Sequence, residues 1–310
     1  MTATDLARRF LHINLNTVNA EAAQAFLTDC LGLGLQMQTD PEELVDGEIL
    51  GLPGKVRCDT RFFYDSRGPR FSCAIEVIHW LDPPTTACRA LDAASGGLSA
   101  LAFRVADRGR TVETIRDHGY RVLSEDAVGL VTGGPAAVAV GPDGLVVELA
   151  DMRSGATGGV QFAGARVTCA DLAESLRFYT GIGFNPLGET RTRTLPLCDL
   201  GLDVDDSDDV QVCHVGLAED GPTVRLCLTQ AAAGARPVAR QPNEQGLYRC
   251  ALRVENTPRA IAATAEDVVV RGPIWCPLPG TPIAGLHIAF LTAPEGTVIE
   301  YVERPLEHFA

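Results

Sequence analysis

Residues 142–149 have the sequence Pro-Asp-Gly-Leu-Val-Val-Glu-Leu, and residues 294–301 repeat the pattern as Pro-Glu-Gly-Thr-Val-Ile-Glu-Tyr, 152 positions further along the chain. In each copy a Pro/Gly turn leads into a β-branched strand that carries one carboxylate, Glu148 or Glu300. A carboxylate in an apolar strand is costly to bury unless another group pairs with it or it coordinates a metal. These two glutamates are therefore the first candidates for functional side chains.

The repeat extends beyond this motif and divides the chain into four units, each with the order strand, helix and three strands. Asn19 and Phe26 of the first unit recur 152 positions later as Asp171 and Phe178. The first unit opens with a strand at 9–16, in which polar and apolar residues alternate, and its helix begins near residue 20. We place the four units at about residues 8–81, 97–151, 164–231 and 246–304. Internal repeats of this kind indicate a modular architecture.

We predict an α+β protein of two tandem domains, residues 1–151 and 164–310, each made of two consecutive βαβββ units. A segment rich in Gly and Ser, residues 151–163, is the predicted linker. The chain of 310 residues is long enough for two domains that each bury a core.

Composition narrows the class of partner. The net charge of −14 and the pI near 4.8 argue against nucleic acid and anionic membrane surfaces. Ten cysteines occur without a Cys-x-x-Cys pair, a pattern typical of reduced core residues in a cytoplasmic protein. The short polar N-terminus does not resemble a signal peptide, and the apolar runs are too short to span a membrane. We expect a cytoplasmic protein that acts on a small molecule.

Several motifs resemble those of the vicinal oxygen chelate superfamily, which includes glyoxalase I, bleomycin-resistance proteins, extradiol dioxygenases and several epimerases. The motifs are His12, the Leu-Gly-Leu sequence at 31–33, the helix sequence at 171–179 and the closing Pro-Asp-Gly-x-x-x-Glu. The resemblance covers nearly the whole chain. It implies paired βαβββ units whose sheets curl into cups, with up to four metal ligands from the first and last strands of the units.

Carrying the family's ligand positions over to this sequence gives one complete site. In the first pair of units the positions are His12, Glu76, Ala100 and Glu148, and in the second pair they are Gly164, Cys227, Arg249 and Glu300. The resemblance therefore implies a metal site of His12, Glu76 and Glu148 in the N-terminal domain and a degenerate C-terminal cup. One histidine with two carboxylates suits a single divalent ion, such as Zn, Mn, Fe, Co or Ni.

Each ligand candidate has an alternative. His12 could be a hydrogen-bonded wall residue, and Glu148 could pair with an arginine. A register slip would place His79 at the site instead of Glu76, although the two lie on opposite faces of their strand. Arg249 could bind a substrate anion, but an ion pair with Glu300 is the favoured interpretation because it removes the burial cost of both.

Other polar residues are candidates for catalysis and substrate binding. Glu76 and Glu148 are the candidate catalytic residues, because a carboxylate beside a metal could move a proton. Asn14 and Asn16 share the face of His12 and could hydrogen-bond substrate hydroxyls, or they could be exposed edge residues.

The predicted function is that of a metal-dependent isomerase or epimerase of a small polyoxygenated ketone, such as a cyclitol or sugar-derived ketone, which works through an enediolate. An extradiol dioxygenase is the alternative enzyme, but that family keeps two histidines and a glutamate where this chain has Gly164, Arg249 and Glu300. A metal-free binding or resistance protein is the third possibility, and the aromatic content of 6% gives it little support. Some relatives build their cups across a dimer, so a homodimer is compatible with the sequence.

Overall fold

The computed structural model describes residues 5–87, 95–153, 158–232, 234–278 and 284–306, so part of the predicted linker, residues 154–157, lies outside the described chain. The first module comprises β1 (Arg9–Thr17), α1 (Ala20–Ala25), a π-helical turn (Phe26–Cys30), β2 (Gly34–Gln38), β3 (Val45–Asp46), a 3-10 helix (Gly47–Leu50), β4 (Lys55–Tyr64) and β5 (Ala74–Asp82). The second comprises β6 (Gly97–Val105), α2 (Arg108–Asp117), β7 (Arg121–Val128), β8 (Pro135–Val140), a 3-10 turn (Pro142–Gly144) and β9 (Val146–Asp151). The third comprises β10 (Val160–Thr168), α3 (Leu172–Gly181), β11 (Asn185–Pro186), β12 (Arg191–Pro196), a 3-10 helix (Leu197–Leu200), β13 (Ser207–Gly216) and β14 (Arg225–Ala231). The fourth comprises β15 (Gly246–Val254), α4 (Thr257–Ala263), β16 (Val270–Pro277), β17 (Gly285–Thr292) and β18 (Val298–Glu303).

The helix of every module begins at a polar capping residue just after the first strand. Asn19, Asp107, Asp171 and Asn256 each accept a hydrogen bond from the backbone N–H three residues further on, at 3.0 Å. Such a cap satisfies an N–H group that has no partner within the helix. The cap fixes the tight connection between strand and helix, and the same connection appears four times.

The strands form two nine-stranded mixed sheets. One sheet has the order β16-β17-β18-β15-β1-β5-β4-β2 with β3 beside β4, and the other has the order β11-β13-β14-β10-β6-β9-β8-β7 with β12 beside β13. The first sheet therefore joins modules one and four, and the second joins modules two and three. At each junction two first strands run antiparallel, β1 beside β15 and β10 beside β6.

This pairing differs from the sequence-based expectation, which joined the modules in chain order. The repeat identifies equivalent strands, but it does not say which module supplies the hydrogen-bonding partner for the open edge of a first strand. In the structure the neighbour of β1 is β15 and not β6, with Ile13 opposite Cys250 in the register. The consequence for the site is large, because ligand positions of module one meet those of module four.

One continuous core joins all four modules. The faces of the two sheets that turn toward the helices contribute residues such as Ile13, Val77, Leu101, Val167 and Leu252, each less than 1% exposed, to a single buried cluster. The alternate residues on each strand point to the opposite, concave face of the sheet. No helix in the described parts of the chain is long and apolar enough to cross a membrane.

The repeated turn motif ties the two sheets together. Asp143 accepts hydrogen bonds from Thr17 Oγ1 at 2.6 Å and from the Val18 N–H at 3.1 Å, which links module two to module one. Glu295, the equivalent residue in module four, accepts from Ser175 Oγ at 2.8 Å and Tyr179 Oη at 2.7 Å on α3 of module three. The acidic residue of each turn thus holds a module of the other sheet.

Candidate functional site

Four ionisable side chains meet on the concave face of the first sheet, on four strands that are neighbours in the order β18-β15-β1-β5. His12 lies on β1, Glu76 on β5, Arg249 on β15 and Glu300 on β18. The β1 and β15 residues stand at the first-strand ligand position of their modules, and the two glutamates stand at the last-strand position. The first cup therefore contains two positions predicted in the N-terminal domain, His12 and Glu76, and two predicted in the C-terminal domain, Arg249 and Glu300.

Arg249 bridges the two glutamates. Its Nη2 lies 2.9 Å from Glu76 Oε2, and its Nε lies 3.1 Å from Glu300 Oε2. His12 Nε2 faces the same two oxygen atoms, 3.6 Å from Glu76 Oε2 and 3.4 Å from Glu300 Oε2. The predicted ion pair between Arg249 and Glu300 is thus present, and Glu76 is added to it.

The electrostatics of this cluster are governed by burial. Burial raises the pKa of Glu300, but the Arg249 guanidinium and the neighbouring His12 outweigh it and lower the pKa of this carboxyl below its ordinary value. Burial opposes the charge of Arg249 as well, yet Glu300 and Glu76 raise its pKa above the usual range. The two carboxylates and the guanidinium carry a net charge of −1, so protonation of His12 makes the cluster neutral.

Three atoms of the cluster form ion pairs without a well-aligned hydrogen bond. His12 Nε2 and Arg249 Nε are buried and lie 3.4 and 3.1 Å from Glu300 Oε2, yet none of the three atoms makes a hydrogen bond with the described residues. Buried polar atoms of this kind favour a bound group that can both donate and accept. The side chain of His12 is 15% exposed, whereas those of Glu76, Arg249 and Glu300 are 3–6% exposed, so His12 is the member that the cup opening reaches.

Glu148 does not join His12 and Glu76, which corrects the predicted three-residue cluster. It lies on β9 of the second sheet, where its carboxylate accepts hydrogen bonds from the backbone N–H groups of Leu130, Val131 and Thr132 at 2.7–3.2 Å. The hydroxyl of Thr132 donates to it at 2.6 Å. The burial of Glu148 is therefore compensated by a backbone loop, and the prediction failed because it assigned the module to the wrong sheet.

The two predicted substrate-binding asparagines are buried on the site side of β1, each 1% exposed or less. Asn16 donates to the carbonyl groups of Pro242 and Glu244, both at 2.8 Å, and accepts from Trp80 Nε1 at 3.0 Å. Asn14 donates a long bond of 3.4 Å to the Glu76 carbonyl. Asn16 therefore joins strands and loops, and the burial of both residues rules out the alternative of exposed edge residues. Their predicted contact with substrate stays a prediction, and Asn14 has the free hydrogen-bonding capacity for it.

The ligand positions of the second sheet are Ala100, Glu148, Gly164 and Cys227. Gly164 has φ +139°, and a Cβ atom there would lie 1.9 Å from the Arg225 carbonyl oxygen, so the backbone excludes any side chain at this position. Cys227 is fully buried, and burial raises the pKa of its thiol well above its ordinary value. The second cup therefore lacks a set of coordinating side chains at these positions.

A divalent ion is the group that the superfamily resemblance implies in the first cup, and the donor set there does not fit it. Arg249 has no lone pair to offer, and it already holds the two oxygen atoms that face His12. Across the described ranges, no group of three or more His, Cys, Asp or Glu residues is placed to hold a metal ion. An arginine thus stands where a fourth ligand would be needed.

Comparison with known proteins agrees with this architecture. Residues 11–138 match the sequence model of the family described as "Glyoxalase/Bleomycin resistance protein/Dioxygenase superfamily". None of the curated proteins compared with the chain matches it. The chain is therefore similar to this superfamily over residues 11–138.

Solved structures extend the likeness over nearly the full length. Glyoxalase I from Zea mays superposes with a TM-score of 0.67 at 19% identity, over 96% of this chain and 92% of that chain. A putative dioxygenase from Bacillus subtilis superposes with a TM-score of 0.60 at 13% identity, over 98% of this chain and 88% of that chain. The predicted α+β fold and the predicted resemblance to the superfamily are thereby confirmed.

Proposed function

We propose that this protein is an enzyme that moves a proton on a small oxygenated substrate, of the isomerase or epimerase type, in the cup formed by modules one and four. The observation that carries the proposal is the convergence of His12, Glu76, Arg249 and Glu300 from four neighbouring strands. Buried titratable groups in contact with one another are concentrated at functional sites. A purely structural ion pair would not need the imidazole.

His12 is the group proposed to exchange the proton. It is the most exposed member of the cluster, and imidazole is the side chain whose ordinary pKa lies nearest to neutral pH. When Nε2 takes up a proton, the imidazolium faces two carboxylate oxygens at 3.4 and 3.6 Å. The proton on Nε2 is then held beside the substrate and can be returned to it.

The other three residues are positioning residues in this proposal. Arg249 keeps Glu300 ionised despite its burial, as the lowered pKa of that carboxyl indicates. Glu76 and Glu300 then present fixed negative charge to His12. Because Arg249 is 3% exposed and held on two sides, we do not assign it a direct contact with the reacting atoms.

The proposed substrate class is a hydroxyketone. A C–H bond next to a carbonyl group is acidic enough for a neutral imidazole to act on it when the resulting enediolate is held beside the imidazolium. His12 takes the proton from that carbon, and the electron pair moves onto the carbonyl oxygen. Return of the proton to the same carbon re-forms the carbonyl group and gives the epimer. Return to the adjacent carbon gives the isomeric hydroxyketone, with the hydroxyl proton of the enediolate passing to the former carbonyl oxygen. The reaction needs neither an oxidant nor a reductant, and no step uses a metal.

The test is exchange of substrate C–H hydrogen for deuterium in D2O, followed by NMR across a panel of cyclic and open-chain hydroxyketones. We expect the wild type to catalyse exchange on at least one compound, with no change after treatment with EDTA. The variant His12→Gln should lose exchange by at least about a hundredfold, the lower range for a general acid–base group. Its melting temperature should stay near that of the wild type.

The matched control is His79→Gln, on the same strand as Glu76, which should leave the exchange rate unchanged. Loss of exchange in this variant would move the site to the alternative register. Exchange that disappears with EDTA and returns with a divalent ion would overturn the metal-free mechanism. If none of the compounds exchanges in the presence of the wild type, the proposal of proton transfer fails, and a binding protein becomes the better account.

A further inference from the structure

The concave face of the second sheet lines an open cavity that the proposed reaction does not use. Its volume is about 410 Å³, enough for a compact organic molecule. The wall is mixed, and its apolar part includes Leu98 of β6, Val210 of β13, and Leu197 and Leu200 of the 3-10 helix of module three. A guanidinium, that of Arg166 on β10, stands in this wall.

Arg166 is a buried cation without a carboxylate partner. It is 3% exposed, and its nitrogen atoms donate to Ser99 Oγ at 3.1 Å, to the Asp199 carbonyl at 3.4 Å and to the Leu200 carbonyl at 2.6 Å. No carboxylate of the described residues lies within ion-pair distance of it. A guanidinium has five N–H groups, so these bonds leave donors free toward the cavity.

The neighbouring charges do not supply the missing counter-ion. Asp199 uses its carbonyl and not its carboxylate toward Arg166, and the oxygens of Glu148 are engaged by the 130–132 loop. The other two charged residues of the cavity wall have partners: Asp143 accepts from Gln245 at 2.8 Å, and Arg121 pairs with Asp203 at 2.7 Å. Arg166 therefore has no carboxylate partner among the described residues of this wall, and Asp143 is its negatively charged counterpart there, bound to neutral donors only.

A charge that is buried without a partner is energetically unfavourable. Arg166 is buried in this way at the wall of the cavity. Burial lowers the pKa of Arg166, with partial compensation from Cys227 and Glu148. A guanidinium nevertheless stays protonated in proteins at neutral pH. The charge is therefore retained in a buried position, which is unfavourable unless an anion binds beside it.

We propose that this cavity binds a small organic monocarboxylate, with its carboxylate on the guanidinium of Arg166 and its apolar body against the leucine and valine wall. One buried guanidinium matches one negative charge, and a carboxylate fits its planar fork through two parallel hydrogen bonds. A phosphate dianion would leave a charge without a partner in the same wall. The ligand class is therefore an apolar acid rather than a phosphorylated compound.

The test uses isothermal titration of the full-length wild type with phenylacetate and hexanoate, and with phenylacetamide and inorganic phosphate for comparison. We expect saturable binding of the two carboxylates, in the millimolar range or tighter. The amide and phosphate should bind at least about tenfold more weakly. The variant Arg166→Met should weaken carboxylate binding by at least about tenfold.

Two further variants make the result independent of folding defects. Arg104→Met is the matched control, because Arg104, like Arg166, donates to two backbone carbonyl groups but does not line the cavity. This variant should bind phenylacetate like the wild type. Thr168→Phe fills the cavity and leaves Arg166 in place, so it should abolish binding. Equal affinity for the amide, or unchanged affinity in Arg166→Met or Thr168→Phe, would overturn the proposal. These outcomes are independent of the proposed proton transfer, because the exchange of substrate hydrogen in the first cup is measured separately.

Discussion

Removal of Arg249 tests the account of the first cup most directly. The variant Arg249→Met keeps the length and much of the apolar contact of the side chain, but it deletes the guanidinium that bridges Glu76 and Glu300. Both carboxylates then remain 5–6% exposed and lose their cationic partner, with only His12 nearby. The structure therefore predicts a variant that folds with a marked loss of stability.

The magnitude follows from the burial of the bridge. Removal of one member of a buried ion pair costs about 3–5 kcal/mol, because the remaining charge is left without compensation. The ion pair of Arg121 and Asp203 serves as a surface control, because its atoms are 2.7 Å apart but its side chains are 60% and 67% exposed. Arg121→Met should therefore lower the free energy of unfolding by less than about 1 kcal/mol. Since a domain is typically stable by about 5–15 kcal/mol, the two variants are readily separated.

The pH dependence has a defined sign. In the wild type the pKa of Glu300 is lower in the folded than in the unfolded state. Its contribution to the free energy of unfolding is therefore fully present above the unfolded-state pKa and is lost as the pH falls through the folded-state pKa. Without Arg249, burial dominates and raises the folded-state pKa, so the variant is destabilised further as the pH rises. The difference between wild type and Arg249→Met should therefore grow from acidic to neutral pH.

The assay is urea denaturation at several pH values, monitored by circular dichroism. A loss below about 1 kcal/mol at neutral pH, or a loss that does not change with pH, would refute the buried bridge. The same preparation serves a second measurement with Arg249→His, which replaces the guanidinium by a coordinating imidazole. We expect this variant to bind a divalent ion that the wild type does not retain.

Three further outcomes are expected. Glu148→Gln should lower the free energy of unfolding in urea by about 2–3 kcal/mol, because an amide cannot accept all the N–H bonds of the 130–132 loop. Deuterium exchange of substrate in the first cup should be unchanged, and a loss of exchange would contradict the structural role of Glu148. Tyr179→Phe removes the hydroxyl that donates to buried Glu295. Thermal unfolding should show that the free energy of unfolding falls by about 1.5–3 kcal/mol. An unchanged value would argue against the cross-link between modules. Burial raises the pKa of Asp220 to about 7, so its stabilising contribution is lost as the pH rises from about 4 to 7. Wild-type stability should therefore fall over this interval relative to Asp220→Asn, and parallel pH profiles of the two proteins would contradict the shift.

The modules could be predicted from the sequence because their signals are local. The caps at Asn19 and Asp171, the alternation along β1 and the two copies of the closing motif each report on a short stretch of chain. They define a βαβββ unit wherever they occur together. The family likeness then supplied the cup, which no local pattern encodes.

The composition of the site was harder to predict, because it depends on which edges pair. The ligand positions of His12, Glu76, Arg249 and Glu300 were predictable, but their division into cups was not, because equivalent modules have equivalent edges. Arg166 was missed altogether. Its signal was present: a charged residue stands between Ala165 and Val167 in an apolar strand, at the repeat position of Asn14.

The exchange of partners between modules has a consequence for how the chain can be divided. A cut between modules two and three would leave each half with two first strands, β1 and β6 or β10 and β15, whose outer edges had lost their neighbours. Open edges of this kind associate with other chains. Two identical half-length chains could close both edges at once around a two-fold axis, so the full chain is the covalently fused equivalent of such a dimer. Fusion allows the two cups to differ in sequence: the first carries the ionic cluster, and the second carries Arg166 and Glu148, which do not pair with each other.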